Sequence, residues 1–186
     1  MLKTITVFCG SANSCPDKYK ELAEEVGRVI ARQNRRLVYG AGSRGLMGIV
    51  AKAAQAENGY VIGVNCKRFE GSKYKLDVDE YYITDTMQER KVKLLELGDA
   101  SITIPGGIGT LDELTEIFSL VQLGIMDKPF GILNFDGYFD GLLAQIERAH
   151  QDKFIRDKDM AHLIVADDVE TLLALLDNHY EQRALA

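Results

Sequence analysis

The sequence has few of the features that mark secreted or membrane proteins. Its 186 residues include three cysteines, three prolines and no tryptophan. No uninterrupted apolar run approaches the roughly 18 residues that a membrane-spanning helix requires, and no signal-peptide pattern precedes the first apolar segment. An odd cysteine count without a Cys-x-x-Cys pair is typical of a reducing compartment rather than of a disulfide framework. We therefore expect a cytoplasmic protein without a membrane partner.

An excess of basic charge is also absent. The chain has 28 acidic and 22 basic residues and a net charge of −6. Because nucleic-acid-binding domains normally present a basic face, we expect no nucleic-acid partner. The three histidines, His150, His162 and His179, are dispersed and lack metal-ligand spacing, so no metal is implied.

What the sequence does contain is a regular alternation of short apolar runs and segments of helical periodicity. The runs that predict strands are residues 4–8, 37–39, 60–64, 101–104, 130–133 and 163–166. The segments that predict helices are residues 18–33, 46–57, 87–97, 110–123, 138–151 and 168–179. Repeated strand–helix units predict one α/β domain over residues 1–186: a Rossmann-like, doubly wound, mainly parallel sheet with helices on both faces. Ligands bind such sheets at the carboxyl ends of the strands.

A first glycine loop follows the second predicted strand. Residues 40–45 read Gly-Ala-Gly-Ser-Arg-Gly, the G-x-G-x-x-G form of a dinucleotide-binding turn. A dehydrogenase also needs an acidic residue at the end of the next strand, where this chain has Asn65, Cys66 and Lys67, so a dehydrogenase is disfavoured. The glycines are equally consistent with a tight turn and close helix–strand packing. Both packing and nucleotide contact remain open for this loop.

A second glycine loop lies directly between a predicted strand and a predicted helix. Residues 105–110 read Pro-Gly-Gly-Ile-Gly-Thr, so that backbone N–H groups can converge without obstruction by side chains. The following helix adds its free N–H groups and the positive end of its dipole. The combination predicts an anion site that suits a phosphate. No Gly-Lys-Ser/Thr follows, so this is not a loop for magnesium-dependent NTP hydrolysis.

Glu113 has two interpretations that local sequence cannot separate. With Thr110 it fits a capping box, in which the carboxylate accepts a hydrogen bond at the start of the helix. It could equally be a catalytic carboxylate beside the anion site. Arg90 and Lys91 lie at the start of the preceding predicted helix, where basic residues oppose the helix dipole, and they could face the same ligand. Glu116, one turn further on, is expected to be a solvated or interfacial charge.

These motifs together resemble the Lonely Guy (LOG) family. Residues 105–113 match its PGGxGTxxE motif, and Arg90-Lys91, preceded by Met87, matches its second motif. The resemblance covers most of residues 4–150 and implies a phosphoribohydrolase that cleaves the N-glycosidic bond of AMP or of cytokinin riboside 5′-monophosphates. The products would be the free base and ribose 5-phosphate. The chain departs from the family's Ile-Pro continuation at residues 65–67, which leaves base preference open.

The resemblance also assigns roles to individual residues. Arg90 and Glu113 would be the catalytic pair, and the family pattern implies a homodimer with the site near its interface. The residues implied in substrate binding are Gly10, Ser11, Met87, Lys91, Gly106, Gly107, Gly109 and Thr110. No cofactor is implied: the family's older label, lysine decarboxylase, would require a pyridoxal phosphate site, and no segment suggests the Schiff-base lysine of such a site with its pyridinium partner.

Two further expectations concern the chemistry. Near a helix N-terminus and an arginine, the pKa of Glu113 should be depressed, so that the carboxylate is ionised at neutral pH. Departure of the base needs a proton or a hydrogen bond, for which Ser11 and the predicted loop 65–80 are candidates. The alternative function is a non-catalytic nucleotide-binding or carrier protein of the same fold, which would need the glycine loop but not the carboxylate.

Overall fold

The computed structural model describes residues 1–69, 71 and 76–184. The strands are β1 (Thr4–Phe8), β2 (Arg36–Tyr39), β3 (Val61–Cys66), β4 (Glu80–Thr84), β5 (Ala100–Thr103), β6 (Phe130–Leu133) and β7 (Leu163–Ala166). The helices are α1 (Asp17–Arg32), α2 (Gly45–Ala56), α3 (Met87–Leu97), α4 (Ile108–Gln122), α5 (Asp140–Gln151), α6 (Asp157–Met160) and α7 (Val169–Ala184). The seven strands form one parallel sheet in the order β4-β3-β2-β1-β5-β6-β7, which confirms the predicted doubly wound α/β fold.

Two hydrophobic cores cover the two faces of the sheet. Side chains alternate along each strand, so Ile5 and Val7 of β1 pack with α1, α2 and α7, while Phe8 packs with α3, α4 and α5. Every residue of β1, β5 and β6 is buried, as expected for parallel strands that are covered on both faces. No helix among the described residues is long and apolar enough to cross a membrane.

The strand order reverses its direction at β1, whose neighbours are β2 and β5. In doubly wound sheets, such a reversal opens a crevice at the carboxyl ends of the strands because the connections on its two sides run to opposite faces. Both predicted glycine loops leave strands beside this point, the first from β2 and the second from β5. The fold therefore brings the two loops to the same edge.

The sequence interpretation missed one edge strand, β4. The sequence predicts a loop over residues 65–80 and no element over residues 81–86, but β3 continues to Cys66, a 3₁₀ turn covers Lys67–Phe69, and β4 pairs with β3. Residues 70 and 72–75 of the predicted loop lie outside the described residues. β4 reads Glu-Tyr-Tyr-Ile-Thr and is only half-buried, so it lacks the continuous apolar run by which the central strands were identified.

A lysine caps the end of α3 and supplies a stability prediction. The ammonium of Lys128 donates to the carbonyl oxygens of Leu95 at 2.8 Å, Glu96 at 2.9 Å and Gly98 at 2.7 Å. Its partial burial lowers its pKa. Because three carbonyls, two of them half-buried, would lose a charged donor, Lys128→Met should reduce the free energy of unfolding by about 2–3 kcal/mol in urea titrations. The exposed Lys52→Met in α2 should cost less than about 0.5 kcal/mol, and equal losses in the two variants would refute the capping role.

Candidate active site

A cavity of about 580 Å³ lies at the carboxyl ends of β1, β2, β3 and β5. Its walls come from the turn after β1 (residues 9–11), the first glycine loop (residues 40–44), the start of α3 and the start of α4. The turn after β1 joins the two glycine loops, because Gly10 donates its N–H to the Pro105 carbonyl and accepts from the Leu46 N–H. The cavity is therefore assembled from segments that are distant in sequence.

The structure brings the predicted site residues together in this cavity. Those that line it are Gly10, Ser11, Met87, Arg90, Lys91, Gly107, Gly109, Thr110 and Glu113. Gly106 lies behind the wall instead, where an added Cβ would be 2.1 Å from the Thr110 Oγ1 and 2.8 Å from the Gly10 nitrogen. Position 106 therefore requires glycine because the Gly10 backbone and the Thr110 side chain approach it too closely for a Cβ.

The N-terminus of α4 opens directly into the cavity. The helix begins at Ile108, and the first N–H groups of a helix have no partner within it. An added Cβ at Gly107 or at Gly109 would meet nothing within 4 Å, so the approach to these N–H groups is unobstructed. The positive end of the helix dipole adds to the attraction for an anion. The geometry suits a phosphate bound by backbone amides.

The capping-box interpretation of Thr110 and Glu113 is wrong. Gly107 is the N-cap of α4, and its carbonyl accepts the Thr110 N–H at 3.0 Å, so the helix starts two residues earlier than predicted. Thr110 is therefore the third residue of the helix and is buried. Glu113 lies in the second turn, where its carboxylate is too far along the helix to cap it and instead faces Arg90.

The capping box of this region belongs to α3. The Thr86 hydroxyl accepts the Glu89 N–H at 3.1 Å, and the Glu89 carboxylate accepts the N–H groups of Asp85 at 2.8 Å and Thr86 at 3.3 Å. The spacing Thr-x-x-Glu was the available sequence signal for it. This cap fixes the first turn of α3, from which Arg90 extends.

Arg90 is held by three groups at the edge of the sheet. Its Nε donates to the Val64 carbonyl at 3.0 Å and its Nη2 to the Gly40 carbonyl at 3.0 Å, while Nη1 lies 3.3 Å from Oε1 of Glu113. The residue is only 7% exposed. An added Cβ at Gly40 would lie 2.0 Å from Nη2, so the glycine makes room for the guanidinium. Arg90 thereby fixes the position of Glu113 relative to β2 and β3.

Burial raises the pKa of Glu113 to about 7, although the Arg90 guanidinium acts in the opposite direction. This corrects the expectation of a depressed pKa. The Glu113 side chain is 15% exposed, and its carboxylate has a single long hydrogen bond to Arg90, which is too little to offset its loss of hydration. The neighbouring thiol of Cys9 also lines the cavity, and its burial raises its pKa, so it contributes a neutral wall. Glu113 consequently titrates near neutral pH.

Lys91 connects α3 to α4 through two ion pairs. Its ammonium lies 3.1 Å from Asp112 Oδ2 and 3.0 Å from Glu116 Oε2, so Glu116 is a paired charge rather than a solvated one. Burial alone would lower the pKa of Lys91, but its bonds to Glu116 and Asp112 raise it. A protonated lysine held by two carboxylates is unsuited to forming a Schiff base, which requires the neutral amine.

Several cavity residues escaped the sequence interpretation. Arg44 lines the cavity from the first glycine loop. Phe69 and Ile108 are 48% and 82% exposed and line the same cavity. The sequence signal that could have identified them is a cation or a large apolar residue within an otherwise polar or glycine-rich segment. These residues add an apolar portion to a cavity whose other walls are backbone amides and charged groups.

The histidines do not form part of this cavity. His162 and His179, which are 17 positions apart in sequence, pack with their rings edge to face at 5.5 Å between centroids. His150 pairs instead with Asp157 at 2.7 Å. Within the part of the chain that the structure describes, no three His, Cys, Asp or Glu side chains are grouped so that they could hold a metal ion.

Sequence comparison relates the chain to a family and to characterised proteins. Residues 47–176 match the family model described as "Possible lysine decarboxylase". The cytokinin riboside 5′-monophosphate phosphoribohydrolase of Rhodococcoides fascians is 40% identical over 178 residues, which are 94% of this chain and 89% of that protein. One of the enzymes of this name from Arabidopsis thaliana is 38% identical over 94% of this chain and 82% of that protein. A probable enzyme of the same name from Oryza sativa subsp. japonica is 38% identical over 95% of this chain and 78% of that protein.

Comparison with solved structures identifies the fold. The molybdenum cofactor binding protein of Rippkaea orientalis has a TM-score of 0.72 and 22% identity, covering 96% of this chain and 97% of that one. The Moco carrier protein of Chlamydomonas reinhardtii has a TM-score of 0.73 and 19% identity, covering 98% and 99%. At these identities the likeness establishes a shared architecture only.

Proposed function

The chain belongs to the Lonely Guy (LOG) family, and on that premise we propose that it is a phosphoribohydrolase. It cleaves the N-glycosidic bond of AMP or of a cytokinin riboside 5′-monophosphate and releases the free base and ribose 5-phosphate. The observation that carries the proposal is the placement of the Arg90–Glu113 pair and the amide-lined start of α4 in one cavity. A carrier protein would need the amide-lined start of α4 but not the Arg90–Glu113 pair.

The 5′-phosphate binds at the start of α4 and positions the sugar. The N–H groups of Ile108 and Gly109 and the helix dipole hold the phosphate. Arg44, which lines the same cavity, adds positive charge. Because the phosphate is remote from the bond that breaks, its binding energy can be used to orient the ribose over the catalytic carboxylate.

Glu113 acts on the sugar carbon that bears the base. As the bond from this carbon to the base nitrogen breaks, its electron pair leaves with the base, the base takes up a proton from solvent, and positive charge develops on the ribose ring. The ionised carboxylate of Glu113 stabilises that charge and accepts a proton from the attacking water, whose oxygen forms the new bond to the sugar carbon. Arg90 holds the carboxylate in place through its three hydrogen bonds at the sheet edge.

The pH dependence of the reaction should follow the titration of Glu113. With a pKa of about 7 in the free enzyme and an ionised carboxylate required, kcat/KM for AMP should rise by about fivefold from pH 6 to pH 7 and by less than about twofold from pH 7 to pH 8. The sign follows because the raised pKa leaves the carboxylate mostly protonated at pH 6. Steady-state rates across pH 5–9 measure this profile. A kcat/KM that is flat or falls across this range contradicts the role of ionised Glu113.

The function is tested by incubating the protein with AMP and, separately, with N6-isopentenyl-AMP. Chromatography of the products should show free base and ribose 5-phosphate in equal amounts. A panel of purine and pyrimidine monophosphates then ranks the substrates. Retention of the nucleotide without release of base would instead favour the carrier alternative.

The proposal extends to a homodimer with the site near its interface. The first turns of α3 and α4 line the cavity, and each helix also presents an exposed apolar residue, Val92 at 47% and Ile108 at 82%. Light scattering should give twice the monomer mass of 20.7 kDa. A monomer with full turnover would show that a single chain completes the site.

A further inference from the structure

Asn65 is a polar side chain that lines the cavity where β3 ends. The phosphate cradle follows β5, and β1 and β2 lie between β5 and β3 in the sheet. Because neighbouring strands are about 4.8 Å apart, the two ends of the cavity are separated by about 14 Å. An extended nucleotide with its phosphate at α4 therefore points its base toward Asn65. The Arg90–Glu113 pair lies between them, where Arg90 bonds to the Gly40 carbonyl after β2.

Two hydrogen bonds fix the orientation of the Asn65 amide. Its Nδ2 donates to the Tyr81 hydroxyl at 2.8 Å, and its Oδ1 accepts the Cys66 N–H at 2.9 Å. Tyr81 reaches this position because its strand neighbour in the register, Gly63, has no side chain; an added Cβ there would be 3.3 Å from the Tyr81 ring. Because the Cys66 N–H needs an acceptor, the amide cannot flip so as to exchange the positions of its oxygen and nitrogen. One N–H and one oxygen lone pair of Asn65 remain for a ligand.

The fixed donor and acceptor match the amino edge of adenine. Adenine presents a ring-nitrogen acceptor beside an N6–H donor, which an asparagine amide can bond at both positions. In hypoxanthine the amino group is replaced by an oxygen acceptor, so that one of the two bonds to an amide of fixed orientation is lost. The geometry points to Asn65 as the residue that selects 6-aminopurine nucleotides over 6-oxopurine nucleotides. This inference rests on the proposed function and deepens it by assigning the base specificity to one residue.

The experiment compares AMP with IMP, which differ only at this edge of the base. The wild-type protein should show a kcat/KM for AMP about 10- to 100-fold above that for IMP. Asn65→Leu should bring this ratio to within about threefold of one, chiefly through loss of activity on AMP. Tyr81→Phe removes one of the two bonds that hold the amide but leaves the Cys66 N–H bond that sets its orientation, so the preference for AMP should weaken less than in Asn65→Leu and should not reverse.

Binding measurements separate this inference from the proposed function. Calorimetric titration of the Glu113→Gln protein with AMP and with IMP should show the same preference in Kd, and adding Asn65→Leu should remove it. If neither nucleotide releases base with the wild-type protein, the proposed function fails while the Kd ratio still tests Asn65. Equal wild-type affinities for AMP and IMP, or a preference that survives unchanged in Asn65→Leu, would overturn the assignment.

Discussion

Replacement of Glu113 by glutamine should lower kcat for AMP by about 10²- to 10⁴-fold while the protein remains folded. Glutamine has nearly the same shape and can still accept the hydrogen bond from Arg90, but it cannot carry the charge that stabilises the ribosyl cation or take a proton from water. Product release from AMP measures the loss. Glu24→Gln, which changes a surface carboxylate paired only with Arg28 on α1, is the matched control and should retain full turnover.

The same substitution should change stability in a pH-dependent way. In the folded protein the pKa of Glu113 is about 7, against an ordinary value of 4.5, so the folded state binds more protons than the unfolded state between these pH values. Wild-type stability is therefore lost progressively as pH rises from about 4.5 to 7, by an amount on the order of 2 kcal/mol. The Glu113→Gln protein does not lose stability in this way, because glutamine does not titrate. Its free energy of unfolding relative to wild type should consequently be higher at pH 8 than at pH 5.

Urea titrations of both proteins at pH 5 and pH 8 measure this difference. A relative stability that is the same at the two pH values would show that Glu113 titrates at its ordinary pKa. Full turnover by Glu113→Gln would remove the carboxylate from the mechanism altogether.

Arg90→Ala should impair both folding stability and catalysis. Loss of the guanidinium leaves the carbonyls of Val64 and Gly40 and the carboxylate of Glu113 without their donor, and removal of one member of a buried ion pair typically costs about 3–5 kcal/mol. Turnover should fall by about 10²-fold or more, because the carboxylate is no longer held in position. Arg90→Lys should not rescue it, because an ammonium cannot reproduce three bonds that diverge from one planar group.

The pH profile distinguishes positioning by Arg90 from a merely structural role. Arg90 lowers the pKa of Glu113 against the effect of burial, so its removal should raise that pKa further. We therefore expect the rise of kcat/KM with pH, measured on the residual activity, to lie at higher pH in Arg90→Ala than in Arg90→Lys, which keeps a positive charge beside Glu113. An unchanged limb in Arg90→Ala would mean that the two side chains are not coupled.

Much of the fold was predictable because the central strands are buried on both faces. Short, mostly apolar runs that alternate with helical segments, such as those of β1 and β6, are typical of interior strands, and the structure confirms them. The edge strand β4 was missed because one side of an edge is solvated and its polar residues hide the pattern. The start of α4 was misplaced for a different reason: Gly107 can serve as an N-cap without a side chain, and the Thr-x-x-Glu spacing suggested a later start.

The members of the candidate site were predictable from motifs, but their electrostatics were not. Local sequence shows that Glu113 follows a helix start near an arginine, and both features lower a pKa. Its burial depends on Arg90 and Cys9, which are 23 and 104 positions away in sequence, and only the folded structure brings them together. The role of Asn65 likewise depends on Tyr81, which belongs to the strand that the sequence did not reveal.

The crystal structure of the Glu113→Gln protein with bound AMP tests the central claim most directly. We expect the phosphate oxygens within hydrogen-bond distance of the Ile108 and Gly109 amides, and the sugar carbon that bears the base facing the side chain at position 113. A phosphate bound away from the start of α4, or a ribose turned away from position 113, would contradict the proposed hydrolysis.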